Sequence, residues 1–301
     1  LESAKMSRQA LELQPGLGDA TINLSVAQQR QGQFIEAEET LETALAADRS
    51  NAALHRYLGA LRRGRGNLAG AEASLRQSLL LDNSSGETHD NLAAVLLDQG
   101  RAETAEASFY RALQHSPENN RTHSNLLLCL NYRSNDRNAL YRAHRAWAER
   151  HARPIAPMPP DFRDRNRDRL RIGYISADFR QHSVAFFVEP LLTHLDRTRF
   201  ECWCYASMEN PDAVTDRLIA TSDQWRWVAG MDDPQLAEQV RSDGIDILID
   251  LSGHTAGNRL LALQGPPAPL QATGPGCPTC WSRRKARPCP WLPPMCPRFR
   301  N

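Results

Sequence analysis

A period of 34 residues runs through the first half of the chain and constrains its fold more than any other feature. Gly32, Gly66 and Gly100 keep that spacing, and so do Ala37, Ala71 and Ala105. Leu24, Leu58 and Leu92 repeat it, as do the sets Leu41, Leu75, Phe109 and Ala44, Ser78, Ala112. Pro15 and Pro117 share a further repeat position, filled by Arg49 and Asn83 in between. A unit of this length cannot bury its own apolar face, so successive units must stack on one another.

The spacing predicts one antiparallel helix pair per unit. Gly sits in the turn inside each pair, Ala where helices approach closely, and Leu or Phe fills the stack. This is the tetratricopeptide pattern, an α-solenoid over residues 1–131, with a part-repeat (Ala10, Leu11, Pro15) ahead and the helix "RTHSNLLLCLNY" behind. Asn23, Asn91 and Asn125 fall in one register, with Tyr57 in the remaining place. Asn is only a middling helix former. One reading is a ladder of amides on the concave face that binds the backbone of an acceptor peptide or protein. The other is a solvated polar face.

"NALYRAHRAWAERHA" reads as one more helix, with Leu140, Ala143, Trp147 and His151 at helical spacing. "RPIAPMPPDFRDRNRDR" follows, too rich in Pro and charge to build a core. Residues 132–168 are therefore read as a helix plus linker. After Arg169 the period changes. "LRIGYIS", "FECWCYA", "QWRWVA" and "IDILIDLS" have strand character, and "VAFFVEPLLTHL", "DAVTDRLIAT" and "DPQLAEQVRSD" have helix character. Alternation of this kind argues for a parallel sheet covered on both faces, in a lobe spanning residues 169–273.

In such sheets ligands bind beyond the carboxyl ends of the strands. Two polar turns sit there, "SADFRQH" after the first strand and "LSGHTAGN" after the last. His182 stands where a general base could serve, and Asp178, four residues earlier, could orient it. A loop histidine with no chemistry is the alternative. Gly253 and Gly257 bracket "HTA" and permit a tight turn with exposed amides, which is also an ordinary strand-to-helix turn. No Walker loop, GxGxxG, GxSxG or zinc spacing occurs in this region.

Net charge is +1, which gives no global attraction to nucleic acid or anionic membrane. No apolar run approaches the roughly 18–20 residues of a membrane-spanning helix, and the opening residues have no signal-peptide core. Seven cysteines, scattered until the tail, suit reduced thiols in a cytoplasmic setting.

Repeats that run through "HSNLLLCLNY" and "AHRAWAERHA" into "LRIGYISADFRQHSVAFFVEPLLTHL", "DGIDILIDLSGHTAGNRLLAL" and "PPAPLQAT" form a specific combination. It resembles the bacterial branch of the protein O-linked N-acetylglucosamine transferases, a family that includes the plant SPINDLY proteins. The resemblance covers about Leu17 to Thr273. It implies a GT-B glycosyltransferase, metal-independent and inverting, with two Rossmann-like lobes. The donor would be UDP-N-acetylglucosamine and the acceptor a Ser or Thr hydroxyl of a protein, with no cofactor. It implies that His182 lies at the active-site mouth, that Asp178, His254 and Asn258 face substrate, and that Asn23, Asn91 and Asn125 bind acceptor peptide. Tyr57 interrupts that ladder.

The chain departs from the family after Thr273, where the pattern expects a "GYP" turn and a second lobe. Residues 274–301 instead hold four of the seven cysteines, no acidic residue and many prolines. Such a tail cannot bury a core, and it reads as irregular and out of frame. A zinc site at Cys277, Cys280, Cys289 and Cys296 is a weaker alternative, because the spacing is loose. The fold expected is thus an α-solenoid followed by one incomplete α/β lobe, inactive alone because the donor-binding lobe is missing. A different class of function, a non-catalytic peptide-binding module, uses the same repeats without the chemistry.

Overall fold

In a computed structural model, residues 17–152, 167–265 and 267–273 are described, with a few positions between 5 and 11. The tail, most of the linker and most of the leading part-repeat lie outside the described residues. The chain divides into two compact units at Arg133/Ser134.

The first unit is helical. Its helices are α1 (Gly18–Arg30), α2 (Phe34–Ala47), α3 (Ala52–Gly64), α4 (Leu68–Leu81), α5 (Gly86–Asp98), α6 (Ala102–His115) and α7 (Asn120–Arg133). Each repeat glycine lies just beyond a first helix with positive φ: 77° at Gly32, 80° at Gly66 and 77° at Gly100. That left-handed conformation costs an L-residue with a side chain roughly 1–2 kcal/mol, so glycine is selected. Ala37, Ala71 and Ala105 are all at 0% exposure, which makes them the sites of closest helix approach. Leu41, Leu75 and Phe109 are equally buried and fill the stack.

A second periodic set stitches the repeats together. Glu38, Glu72 and Glu106 occupy one position of the second helices. Glu38 pairs with Arg62 and Arg65, and Glu106 with Arg133. Glu72 accepts from Gln99 Nε2 at 2.9 Å and Arg101 Nη1 at 2.8 Å. Each carboxylate therefore reaches the following repeat.

The second unit begins with α8 (Arg137–His151), which is capped by Asp136 accepting from the Asn138 and Ala139 amides. The lobe proper contains β1 (Leu170–Ser176), α9 (Ser183–Thr193), β2 (Phe200–Ala206), α10 (Ala213–Thr221), β3 (Gln224–Trp227), α11 (Asp233–Ser242), β4 (Ile247–Asp250), a 3₁₀ turn (Leu260–Leu263) and β5 (Leu270–Thr273). The sheet is parallel throughout, in the order β3-β2-β1-β4-β5. Alternate residues of β1, β2 and β4 enter opposite cores. Ile172, Tyr174, Cys202 and Cys204 pack with Val188, Leu192 and Leu218 on one face. Ile175, Trp203, Tyr205 and Leu248 pack with Leu236 and Val240 on the other. Burial on both sides explains why "IDILIDLS" is nearly continuous in apolar residues. Among the described residues, no helix is long and apolar enough to cross a membrane.

Candidate functional site

The strand order sets where a ligand can sit. The chain winds β1, β2, β3 in one direction, then returns to place β4 on the other side of β1. The connections leave β1 and β4 in opposite directions, which opens a crevice at their carboxyl ends. Both polar turns lie there. A cavity of about 590 Å³ is lined by Ala177, Asp178, Arg180 and His182 after β1, by Ser207 to Asn210 after β2, by Ala229 after β3, and by Thr255, Ala256 and Gly257 after β4.

The two turns are built against each other. Leu251 N donates to Ile175 O at 2.9 Å, and the Ala177 amide donates to Ser252 Oγ at 3.4 Å. Gly257 has φ 75°, and a Cβ there would stand 2.8 Å from Ala177 Cβ. Glycine is required twice over, for its backbone and for the contact. Asp250 is buried and closes its turn by accepting from the Ser252 and Gly253 amides at 3.2 and 2.8 Å.

His182 is the N-cap of α9, with Nδ1 accepting from the Val184 amide at 3.3 Å. Its side chain is 41% exposed and lies on the cavity wall. Asp178 is buried beside it, but its Oδ2 stands 3.8 Å from His182 Nδ1, beyond hydrogen-bond range. The expectation that Asp178 orients the ring is corrected here: the Val184 amide does so. Asp178 nevertheless lines the cavity, with Arg180 Nη2 3.7 Å from its Oδ1.

Two other residues expected at the cleft are placed differently. His254 is 4% exposed and packs its ring against α8, 4.9 Å from His144 and 5.0 Å edge-on to Trp147. Its burial follows from α8, whose buried His144 and Trp147 pack on this turn. Asn258 is spent locally: Nδ2 donates to Thr255 O at 2.9 Å, and Oδ1 accepts from the Leu260 amide at 3.4 Å. Thr255, Ala256 and Gly257, rather than His254 or Asn258, form this side of the cavity.

Three residues that the motifs did not single out hold the cleft in shape. Asp212 caps α10 and also accepts from the Gln181 amide at 2.7 Å. That bond, ahead of those from Thr215 and Val214, holds its carboxyl below the ordinary aspartate value despite some desolvation. Thr215 Oγ1 donates to Phe179 O at 2.7 Å. The capping-box spacing in "DAVT" was the available signal. Arg259 links the remaining loops: Nε to Asp233 at 2.6 Å, Nη1 to Val228 O at 3.2 Å, and Nη2 to Met231 O at 2.8 Å.

In the first unit, Asn23 is exposed, Asn91 half-buried, and Asn125 Nδ2 donates to Asp90 Oδ1 at 3.2 Å. Tyr57 lies beneath the Arg56 guanidinium, 4.6 Å from the ring centre. Among the described residues, no group of three or more His, Cys, Asp or Glu side chains could hold a metal ion.

Comparison with known proteins agrees with this architecture. The family model described as Glycosyl transferase family 41 matches residues 122–282, more than half of the chain. Proteins named probable UDP-N-acetylglucosamine–peptide N-acetylglucosaminyltransferase SPINDLY are similar: that of Arabidopsis thaliana is 38% identical over 159 residues, 50% of this chain and 17% of the relative. That of Hordeum vulgare is 40% identical over 160 residues, with the same shares. The chain therefore spans about a sixth of the length of these relatives. A solved mutant of the Thermobaculum terrenum O-GlcNAc transferase superposes with TM-score 0.76 at 37% identity, covering 86% of this chain and 50% of that one. With the repeats, the parallel lobe and both turns in place, the chain belongs to glycosyl transferase family 41.

Proposed function

We propose that the chain carries the acceptor side of a protein O-GlcNAc transferase. In this reading a Ser or Thr hydroxyl of a protein attacks the anomeric carbon of UDP-N-acetylglucosamine. The new carbon–oxygen bond forms as the bond to the diphosphate breaks, UDP leaves, the hydroxyl's proton is released to solvent, and the configuration inverts. No metal and no cofactor enter. The observation that carries the reading is the meeting of the "SADFRQH" and "SGHTAGN" turns at one cleft, at the switch point of the sheet. His182 is the side chain proposed to meet the reacting groups, with Asp178 and residues Thr255 to Gly257 shaping the cavity. Asn23, Asn91 and Asn125 are proposed to line the inner face of the repeats and bind acceptor backbone. Contacts between the first helices of successive repeats (α1 with α3, α3 with α5, α5 with α7) support this placement.

Residues 1–301 taken alone are proposed not to complete transfer. Holding donor and acceptor in register is worth roughly 7–11 kcal/mol, and among the described residues no second lobe stands opposite His182 to hold the sugar nucleotide. The test is calorimetry with UDP and transfer from radiolabelled UDP-N-acetylglucosamine. Micromolar UDP binding, or turnover above a His182→Ala control, would refute inactivity. Residues 1–273 joined to the half of the Thermobaculum terrenum enzyme that this chain does not match should transfer sugar, and His182→Ala should lower the rate by about 10² or more, the scale for losing either a proton-transfer group or a fixed hydrogen-bond donor. A chimera that binds acceptor peptide but never transfers would favour a binding module instead.

A further inference from the structure

The role of His182 can be sharpened from its own hydrogen bond, and this step rests on the reading just given. A backbone amide can only donate, so the bond from Val184 N to Nδ1 requires a lone pair on Nδ1. A neutral imidazole with a bare Nδ1 carries its proton on Nε2. Nε2 is the nitrogen left without a protein partner among the described residues, in a ring that lines the cavity. The opposite tautomer would set Nδ1–H against Val184 N–H, donor against donor. Asp178 could receive an Nδ1 proton only if the 3.8 Å gap closed by most of an ångström and α9 gave up its cap.

We propose that His182 presents an N–H to the cleft and serves as a hydrogen-bond donor that fixes an oxygen of the bound substrate, and that it is not the base that removes the acceptor's proton. A base acting at Nε2 needs a lone pair there, and the cap puts the proton in that place. Its partner is therefore an oxygen acceptor, either a sugar hydroxyl or a phosphate oxygen of the donor. A fixed N–H costs no reorganisation when charge develops on such an oxygen. The helix start thus selects the tautomer: because the capping atom is an imidazole nitrogen rather than a carboxylate or hydroxyl oxygen, structural and chemical roles share one ring.

The tautomer is measurable on the chain as it stands. In ¹⁵N-labelled protein at neutral pH, long-range proton–nitrogen correlations distinguish the protonated from the bare ring nitrogen, and loss of the pattern in His182→Asn assigns it. The expected result is a protonated Nε2 and a bare Nδ1. A protonated Nδ1, or an even mixture of tautomers, would overturn the proposal. A second measurement tests the cap itself. Asn retains a side-chain acceptor for the Val184 amide and an N–H for the cleft, whereas Ala has neither. Protection of Val184 against hydrogen exchange should survive in His182→Asn and fall in His182→Ala, and equal protection in the two would remove the premise. Neither readout involves sugar transfer, so the proposal stands or falls independently of the activity assay.

Discussion

Replacing Gly257 by Ala perturbs the candidate cleft at one atom. Two costs add. The backbone at φ 75° lies in the left-handed region, where an L-residue with a side chain costs roughly 1–2 kcal/mol. The new Cβ would stand 2.8 Å from Ala177 Cβ, well inside the optimum of about 3.5–4.0 Å for carbon pairs. Overpacking of this kind typically costs about 1–3 kcal/mol. The expected destabilisation of the lobe is therefore about 2–5 kcal/mol. The two costs are separable. Ala177→Gly removes the opposing methyl, so the double variant should regain the steric part and keep the backbone part. Gly230→Ala is the control: nothing lies within 4 Å of its Cβ position and its φ is not positive, so it should stay within about 0.5 kcal/mol of the parent. Urea unfolding followed by tryptophan fluorescence reads all four proteins. If Gly257→Ala and Gly230→Ala have equal midpoints, the two turns do not touch as described. If Ala177→Gly rescues nothing, the contact between them is not the source of the cost.

Three further outcomes are expected. Glu72→Ala should destabilise the repeats by about 1.5–3 kcal/mol, the scale of hydrogen bonds to a charged group, in far-UV circular dichroism melts. In the parent, bonds from Gln99 first, then Arg101 and the Arg76 charge, hold the Glu72 carboxyl below its ordinary 4.5 despite desolvation. Its contribution is therefore complete above that value and disappears as pH falls through the lower folded value. A parent-to-variant gap that does not narrow on acidification would contradict this. Trp147→Ala should cost about 3–5 kcal/mol, as for a fully buried aromatic, and should speed hydrogen exchange in the Gly253–Asn258 turn; unchanged exchange would mean that α8 does not support it. Asp212→Ala should speed exchange of the Gln181 amide relative to the parent, and an unaltered rate would remove Asp212 as the tether of the His182 turn.

The repeats are legible in the sequence because each unit meets the same neighbours, so the same packing demand recurs every 34 residues. The lobe is legible because both faces of its sheet are covered, which makes strands apolar and leaves turn chemistry only at their ends. The His182 turn can be located for the same reason. What cannot be read is which atoms of the turns face the cleft. His254 is withdrawn by Trp147 and His144, which are remote in sequence and belong to a helix that reads as a link between domains. Asp212, Thr215 and Arg259 act through backbone groups of other loops, and side-chain patterning does not report where backbone carbonyls and amides will lie.

This division also changes what the second motif does. In "SGHTAGN", the histidine docks the turn onto α8, the asparagine closes it, the preceding Asp250 caps its amides, and only Thr255 to Gly257 reach the cavity. Most of its polar side chains are consumed in fixing the backbone, so this side of the cleft offers a shape. The first motif does the reverse: its backbone is held from outside by Asp212 and Thr215, which leaves Asp178, Arg180 and His182 at the cavity wall. Side-chain chemistry is thus concentrated on the β1 side. Conservative changes at His254 or Asn258 should therefore act through stability, and changes at His182 through what the cleft binds.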